Sequence, residues 1–313
     1  MKTRQATLVE AGRFEIQDAE IDLPSDHILV KMAGCGLCTW ELNHFAGRIG
    51  TPPMALGHEG YGVVADIGKD VKRFAIGDRV TGLSAKHFAD YFTLPEKHSM
   101  KIVPAEQREI PGEPLYCVQN VLRAARPDIG DTVVVVGCGP MGLWAIQGLS
   151  APQLKNLVAV DIDERKLKLA ESFGATAVIN PKSQDAASAL LKINDARLAD
   201  VAVEGTGGAA GVQTAIDLLR PRRPRLVIMS SFKGKTEIDL PTLCGKAIDV
   251  VHAHPGITAD IDDGVRRTEI LINNRVFRTD GIISHRYPLE KIMDAFRDLG
   301  SRPDGYLKGI VTP

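Results

Sequence analysis

The chain has 313 residues, 44% apolar and 25% charged, which suggests a soluble globular protein of about two domains. Its 38 Lys and Arg against 39 Asp and Glu leave a net charge of -1, which argues against a nucleic-acid binder held by bulk charge. No apolar run reaches the roughly 18–20 residues that a membrane span needs. The stretch MKTRQATLVEAGRFEI has no apolar core of signal-peptide length. The 5 cysteines are too few for a disulfide scaffold, and an odd number suits a reducing compartment. The expectation is a cytoplasmic enzyme acting on a small molecule, with neither nucleic acid nor membrane as partner.

Taken in chain order, residues 1 to 120 predict short strands. Ile28, Val30 and Met32 alternate with Leu29 and Lys31, and the runs 60–68 and 77–82 are bounded by glycine turns. Such strands suggest a compact antiparallel β domain. From 121 to 256 the pattern changes. Thr132–Val136, Leu157–Val160, Ala199–Val203 and Arg225–Met229 are continuously apolar or nearly so, as strands covered on both faces should be. Helical patterns such as Glu164–Phe173 separate them, so this part reads as a doubly wound parallel sheet. From 257 to 313 come two amphipathic helices, Ile261–Asn273 and Leu289–Leu299, and a closing strand, Leu307–Val311. The first and last parts are expected to form one domain, 1–120 with 257–313, into which the sheet domain, 121–256, is inserted.

The run Gly137-Cys138-Gly139-Pro140-Met141-Gly142 follows a valine-rich strand and opens a helix. Its first glycine permits a tight turn, its second lets a pyrophosphate approach the backbone, and its third permits close helix-to-strand packing. The anion then meets the free N–H groups of the helix N-terminus. Asp161 ends the next predicted strand, where a carboxylate accepts the adenosine ribose hydroxyls and repels a 2′-phosphate. The pattern predicts NAD in preference to NADP. Lys166 is either a ribose contact or a solvated helix lysine.

Cys35-Gly36-Leu37-Cys38 is a C-x-x-C with no second such pair, which weakens a zinc-ribbon reading. Gly57-His58-Glu59-Gly60 follows, and a thiolate, an imidazole and nearby carboxylates suit Zn²⁺. At these residues the chain resembles the zinc-dependent medium-chain dehydrogenase/reductase family of alcohol and polyol dehydrogenases. VKMAGCGLCTWELNHFAG is similar to its catalytic-cysteine segment and GHEGYGVVADIGKDVKRFAIGDRV to its G-H-E segment. EPLYCVQNVLRAARPDIGDTVVVVGCGPMG is similar to its domain junction and ISHRYPLEKIMDAF to its C-terminal return. The resemblance implies an α/β protein, a GroES-like β-rich catalytic domain with an inserted Rossmann domain.

It further implies that Cys38 and His58 are zinc ligands, that Glu59 enters the metal shell or stands beside it, and that Glu41 orients the zinc histidine. Glu113 matches the position where the polyol branch carries glutamate in place of a cysteine. Thr206 and Gly207 are expected along the nicotinamide side and Lys308 near the cofactor phosphates. Cys35 is expected in the core, and Cys117, Cys138 and Cys244 match no ligand position. The four-cysteine lobe of many members is replaced by TGLSAKH, so one catalytic zinc and no structural zinc is expected. Family members commonly join their nucleotide-binding sheets edge to edge, which implies a homodimer or homotetramer, with the Arg225–Met229 region near that edge.

One segment departs from the family. The hydroxyl residue that passes the substrate proton outward is replaced by Trp40, and the relay histidine by Asn43. Three alternatives are open. Thr39 and His44 rebuild a relay one position away; the proton leaves through substrate hydroxyls, Glu59 and water; or Trp40 shapes the pocket for a ring. The resemblance implies hydride transfer between NAD and a secondary alcohol of the polyol, sugar or cyclitol class, with zinc as Lewis acid. Two other classes are carried beside it: a metal-free enone or quinone reductase on the same fold, and a nucleotide-binding protein without turnover.

Overall fold

The computed structural model describes every residue except 233 and 254–259, so the expected junction at 256/257 lies outside the described residues. The chain divides into two compact units, Met1–Tyr116 with Asp260–Pro313, and Cys117–Ala259.

The first unit opens with a hairpin of β1 (Lys2–Glu10) and β2 (Arg13–Glu20), followed by β3 (His27–Gly36), α1 (Thr39–Phe45) and β4 (Met54–Ala55). Then come β5 (Glu59–Ile67), β6 (Arg79–Gly82), β7 (Tyr91–Pro95), β8 (Ser99–Lys101) and α2 (Gly112–Ala125), whose first turn, with Glu113, belongs to this unit and whose residues from Cys117 belong to the second. Inward residues of β3 such as Ile28, Val30 and Met32 are fully buried, as their alternation predicts. Phe14, Phe45 and Phe296 form an aromatic cluster with centroids 4.8–5.7 Å apart.

The second unit holds β9 (Thr132–Val136), α3 (Pro140–Leu149), β10 (Asn156–Val160), α4 (Glu164–Ser172), β11 (Ala177–Ile179) and α5 (Ala186–Ile193). It continues with β12 (Val201–Glu204), α6 (Ala209–Leu218), β13 (Arg225–Ile228), α7 (Leu240–Gly245) and β14 (Asp249–His252). Among the described residues its sheet has six strands in the order β11-β10-β9-β12-β13-β14, all parallel. Val133, Val134 and Val135 are wholly buried, because crossover helices cover both faces of a parallel sheet. β9 has β10 on one side and β12 on the other, so the crossovers diverge there and leave a crevice at the strand C-termini.

The sequence reading placed Arg225–Met229 near the sheet edge. It is near it: β13 is paired with β12 and β14, and among the described residues β14 is the edge strand itself.

The chain then returns to the first unit through α8 (Ile261–Asn273), β15 (Ile283–Pro288), α9 (Ile292–Ser301) and β16 (Lys308–Thr312). Ile292, Ala295, Phe296 and Leu299 form the buried stripe of α9, the helical spacing read from the sequence. The strand pairs within residues 1–120 are antiparallel, as expected there, whereas β15 and β16 are parallel, because α9 makes the connection between them a crossover. β16 pairs antiparallel with β3, setting Ile310 opposite Gly36, and β3 sets Gly36 opposite Glu59. Three strands thereby converge at the end of β3, where the candidate ligands lie.

Candidate functional site

In the first unit, Cys38 is the N-cap of α1, and its sulfur accepts from the Trp40 amide at 3.4 Å. Glu41, wholly buried, completes this cap by accepting from the Cys38 amide at 3.2 Å. Its other oxygen lies 2.9 Å from Nδ1 of His58. A carboxylate only accepts, so Nδ1 carries a proton, and it is Nε2 that can give up its own proton to a metal. That is the arrangement of a metal-bound histidine held by a carboxylate. Nε2 lies 3.7 Å from Glu113 Oε2. Ligand atoms of Cys38, His58 and Glu59 all fall within 4.8 Å of one another.

The electrostatics follow from burial and charge. Burial opposes a charge on His58, but Glu41, the Cys38 hydrogen bond and Glu113 outweigh it and push its pKa up to about 12. Burial pushes the Cys38 thiol up, and the bond to His58 works against that rise. A thiol, an imidazole and clustered carboxylates are a donor set that a divalent zinc ion satisfies, displacing protons as it binds.

Glu59 is held by two features that the sequence reading did not anticipate. Lys308 donates to Glu59 Oε1 at 2.7 Å and to the Leu37 carbonyl at 2.9 Å, and its Nζ is 2.5 Å from Glu59 Oε2. The ammonium of Lys308, the residue expected near the cofactor phosphates, is buried and bound to these oxygens. Burial alone would lower its pKa, but the charge of Glu59 raises it. Gly36 makes room for the carboxylate, since a Cβ there would lie 1.9 Å from Glu59 Oε2. A lysine two residues before the strand partner of Gly36 was the available signal, legible only once strand register is known.

Trp40 is 51% exposed and presents its indole edge-on to His44 and His58, at centroid distances of 4.3 and 5.4 Å. Both ring nitrogens of His44 are buried without a hydrogen-bond partner among the described residues. Among the described residues no side-chain hydrogen bond joins the half-buried Thr39 to His44. Cys35 is buried on β3.

In the second unit, Gly139 caps α3 with Pro140 and Met141 in the first turn, and a Cβ on Gly139 would meet nothing within 4 Å. That open approach to a helix N-terminus fits a phosphate group. Gly142 is needed for close packing, since a Cβ there would lie 1.9 Å from the Gly137 carbonyl oxygen. Asp161 accepts from the amides of Cys138 and Asp163 at 2.7 and 2.9 Å. A carboxylate has about four acceptor positions, so two remain for vicinal hydroxyls. Lys166 is half-buried on α4. Thr206 and Gly207 follow β12 and are bonded to the buried Glu204, a residue that sequence reasoning missed although a carboxylate ending an apolar strand was visible in Val201-Ala202-Val203-Glu204.

Among the described residues no helix is long and apolar enough to cross a membrane. Residues 24–104 match the model of the alcohol dehydrogenase GroES-like domain, and residues 140–267 that of the zinc-binding dehydrogenases. The chain is 26% identical over 328 residues to sorbitol dehydrogenase of Bacillus subtilis (strain 168), covering 93% of this chain and 92% of that one. It is 30% identical over 284 residues to the protein named "Probable D-xylulose reductase A" of Emericella nidulans, covering 76% and 78%. In fold it is similar to a Sinorhizobium meliloti 1021 chain solved bound to NADP, with a TM-score of 0.86, 24% identity and 100% of both chains covered. Both halves of the sequence and their order agree, and the chain belongs to the zinc-type medium-chain alcohol and polyol dehydrogenase family of oxidoreductases.

Proposed function

We propose that the protein is a zinc- and NAD-dependent dehydrogenase of a secondary alcohol carried by a polyol, sugar or cyclitol. The observation that carries this reading is the gathering of Cys38, His58, Glu59 and Glu113, with His58 Nδ1 already bound to Glu41. The names of the sorbitol and xylulose relatives support the substrate class.

Cys38, His58 and Glu113 are the residues that would hold the zinc. Glu113 is favoured over Glu59 as the resting carboxylate because its Oε2 lies 3.7 Å from His58 Nε2, whereas Lys308 neutralises Glu59. A zinc ion there supplies Lewis acidity, which lowers the pKa of a substrate hydroxyl and polarises a carbonyl in reverse. The nicotinamide supplies the hydride acceptor, and Asp161 favours NAD because its free acceptor positions suit a ribose diol and its charge repels a phosphate. A single catalytic zinc, a cytoplasmic location and an oligomer complete the reading.

Trp40 occupies the place of the family's proton-passing hydroxyl, and half of its indole is open beside His58. Its apolar face suits the C–H surface of a sugar. A polyol brings its own second hydroxyl, which Glu59 can accept from and which replaces part of the missing proton route. A monoalcohol has none. Glu113 in place of a thiolate makes the donor set harder and richer in oxygen, as polyols favour.

The test is a panel of vicinal polyols, cyclitols and chain-matched monoalcohols read by NADH formation. The expected kcat/KM for the polyols exceeds that for the monoalcohols by about tenfold or more, roughly 1.4 kcal/mol of transition-state discrimination. Equal values, or a preference for primary aliphatic alcohols, would remove the argument from Trp40 and Glu113.

A further inference from the structure

Glu204 is a wholly buried carboxylate at the C-terminal end of β12, on the margin of the crevice between β9 and β12. Its Oε1 accepts from the Thr206 amide at 2.6 Å, the Thr206 hydroxyl at 2.6 Å and the Gly207 amide at 3.0 Å. Its Oε2 accepts from the Ser230 hydroxyl, beyond the end of β13. All four donors are neutral, and each bond to an ionised acceptor is stronger than its neutral counterpart. One carboxylate therefore ties together the turn after β12 and the chain leaving β13.

The tied turn reaches a third strand end. The Thr206 methyl would lie 2.9 Å from a Cβ on Gly137, so it packs against the first glycine after β9. Thr206 Oγ1 also accepts from the Gly208 amide at 3.2 Å, which fixes the hydroxyl on both its donor and acceptor sides. Removing Glu204 would free two amides and two hydroxyls together, and the turn would lose what defines its shape.

We propose that Glu204 is a positioning residue for the nicotinamide half of a bound dinucleotide. It fixes the Thr206–Gly208 turn and Ser230 at the crevice without touching the adenosine half. The proposal rests on the dinucleotide reading given above, and the two halves separate it from general support of the fold. In a doubly wound sheet the adenosine half lies toward Asp161 and β10, and the nicotinamide half across the crevice toward β12 and β13.

The experiment measures equilibrium binding of NADH and of ADP to the parent protein, Glu204→Ala and Glu204→Gln. The expected result is that Glu204→Ala weakens NADH by about tenfold or more while ADP stays within about twofold. Glu204→Gln keeps an acceptor oxygen for the turn, and its amide can donate to a rotated Ser230 hydroxyl. It is expected to hold NADH within about threefold of the parent. Unchanged NADH binding in Glu204→Ala, equal weakening of NADH and ADP, or a Gln variant as weak as the Ala variant would each overturn the proposal. A parent protein that binds ADP but not NADH would instead overturn the nicotinamide reading on which it rests.

Discussion

His87 shows what a single buried titratable residue does to the stability of the site. It is wholly buried, and its Nδ1 accepts from the Gly60 amide at 2.9 Å, so the proton of the neutral ring sits on Nε2. Nε2 has no hydrogen-bond partner among the described residues, and the ring lies 4.1 Å from that of Phe92. Burial, with a smaller contribution from the charge of His58, pushes its pKa down to about 3. In the unfolded chain it titrates near about 6.5. Below that pH the unfolded chain binds a proton that the folded chain refuses, so this contribution to stability is present above about 6.5 and is lost as pH falls toward about 3. The slope approaches about 1.4 kcal/mol per pH unit once the unfolded histidine is charged. His87→Asn offers Gly60 an equivalent acceptor and no titration. Urea midpoints at neutral and mildly acidic pH should therefore differ less for the variant than for the parent, and equal differences would show that His87 does not carry the dependence. Nothing in the sequence marked this histidine, because its meaning lies in the packing around it. Cys38, His58 and Asp161, by contrast, were legible because their chemistry is tied to short motifs.

At the level of elements, the candidate metal site depends on β16 crossing back to β3. That pairing sets Ile310 opposite Gly36, and the period of two along a strand puts Lys308 on the same face, against Glu59. The strands, helices and their order were readable from the change of hydrophobic period between Met32 and Val133. The partner of Lys308 was not, because a one-residue change of register would turn its side chain to the other face. The ion pair is buried, so removing one member strands the other. Lys308→Met is expected to cost on the order of 3–5 kcal/mol, because the buried Glu59 carboxylate would lose the cation that pairs it. Adding Glu59→Gln should recover much of that loss, since no charge is then left unpaired. A thermal or urea double-mutant cycle measures the coupling, and strictly additive losses would mean that the pair contributes nothing as a pair. Gly36 belongs to the same element-level arrangement: its missing Cβ is the space into which the Glu59 carboxylate fits.

For the whole molecule, the arrangement of the parallel sheet determines where a second copy can join. Helices cover the faces of such a sheet, which leaves its two margins. Among the described residues one margin is β11, only 3 residues long, and the other is β14. Along β14 the amides of Asp249 and Ala253 donate inward, to the carbonyls of Pro224 and Ile228, both at 2.9 Å. In a parallel strand the amides alternate sides, so that of Val250 points away from β13, toward where another strand would lie. Val250 is 51% exposed, so the margin is also apolar in part. A second copy related by a two-fold axis would pair β14 with its own counterpart and continue the sheet, a self-complementary contact of the kind that closes dimers. The 33.8 kDa chain is therefore expected to sediment at about twice that mass at micromolar concentration. Val250→Pro removes an outward amide and no bond to β13, and proline is tolerated on an edge strand. It should shift the protein to monomer with its far-ultraviolet circular dichroism unchanged. A parent protein that sediments at 33.8 kDa, or a Val250→Pro variant that remains fully dimeric, would place the contact elsewhere or nowhere.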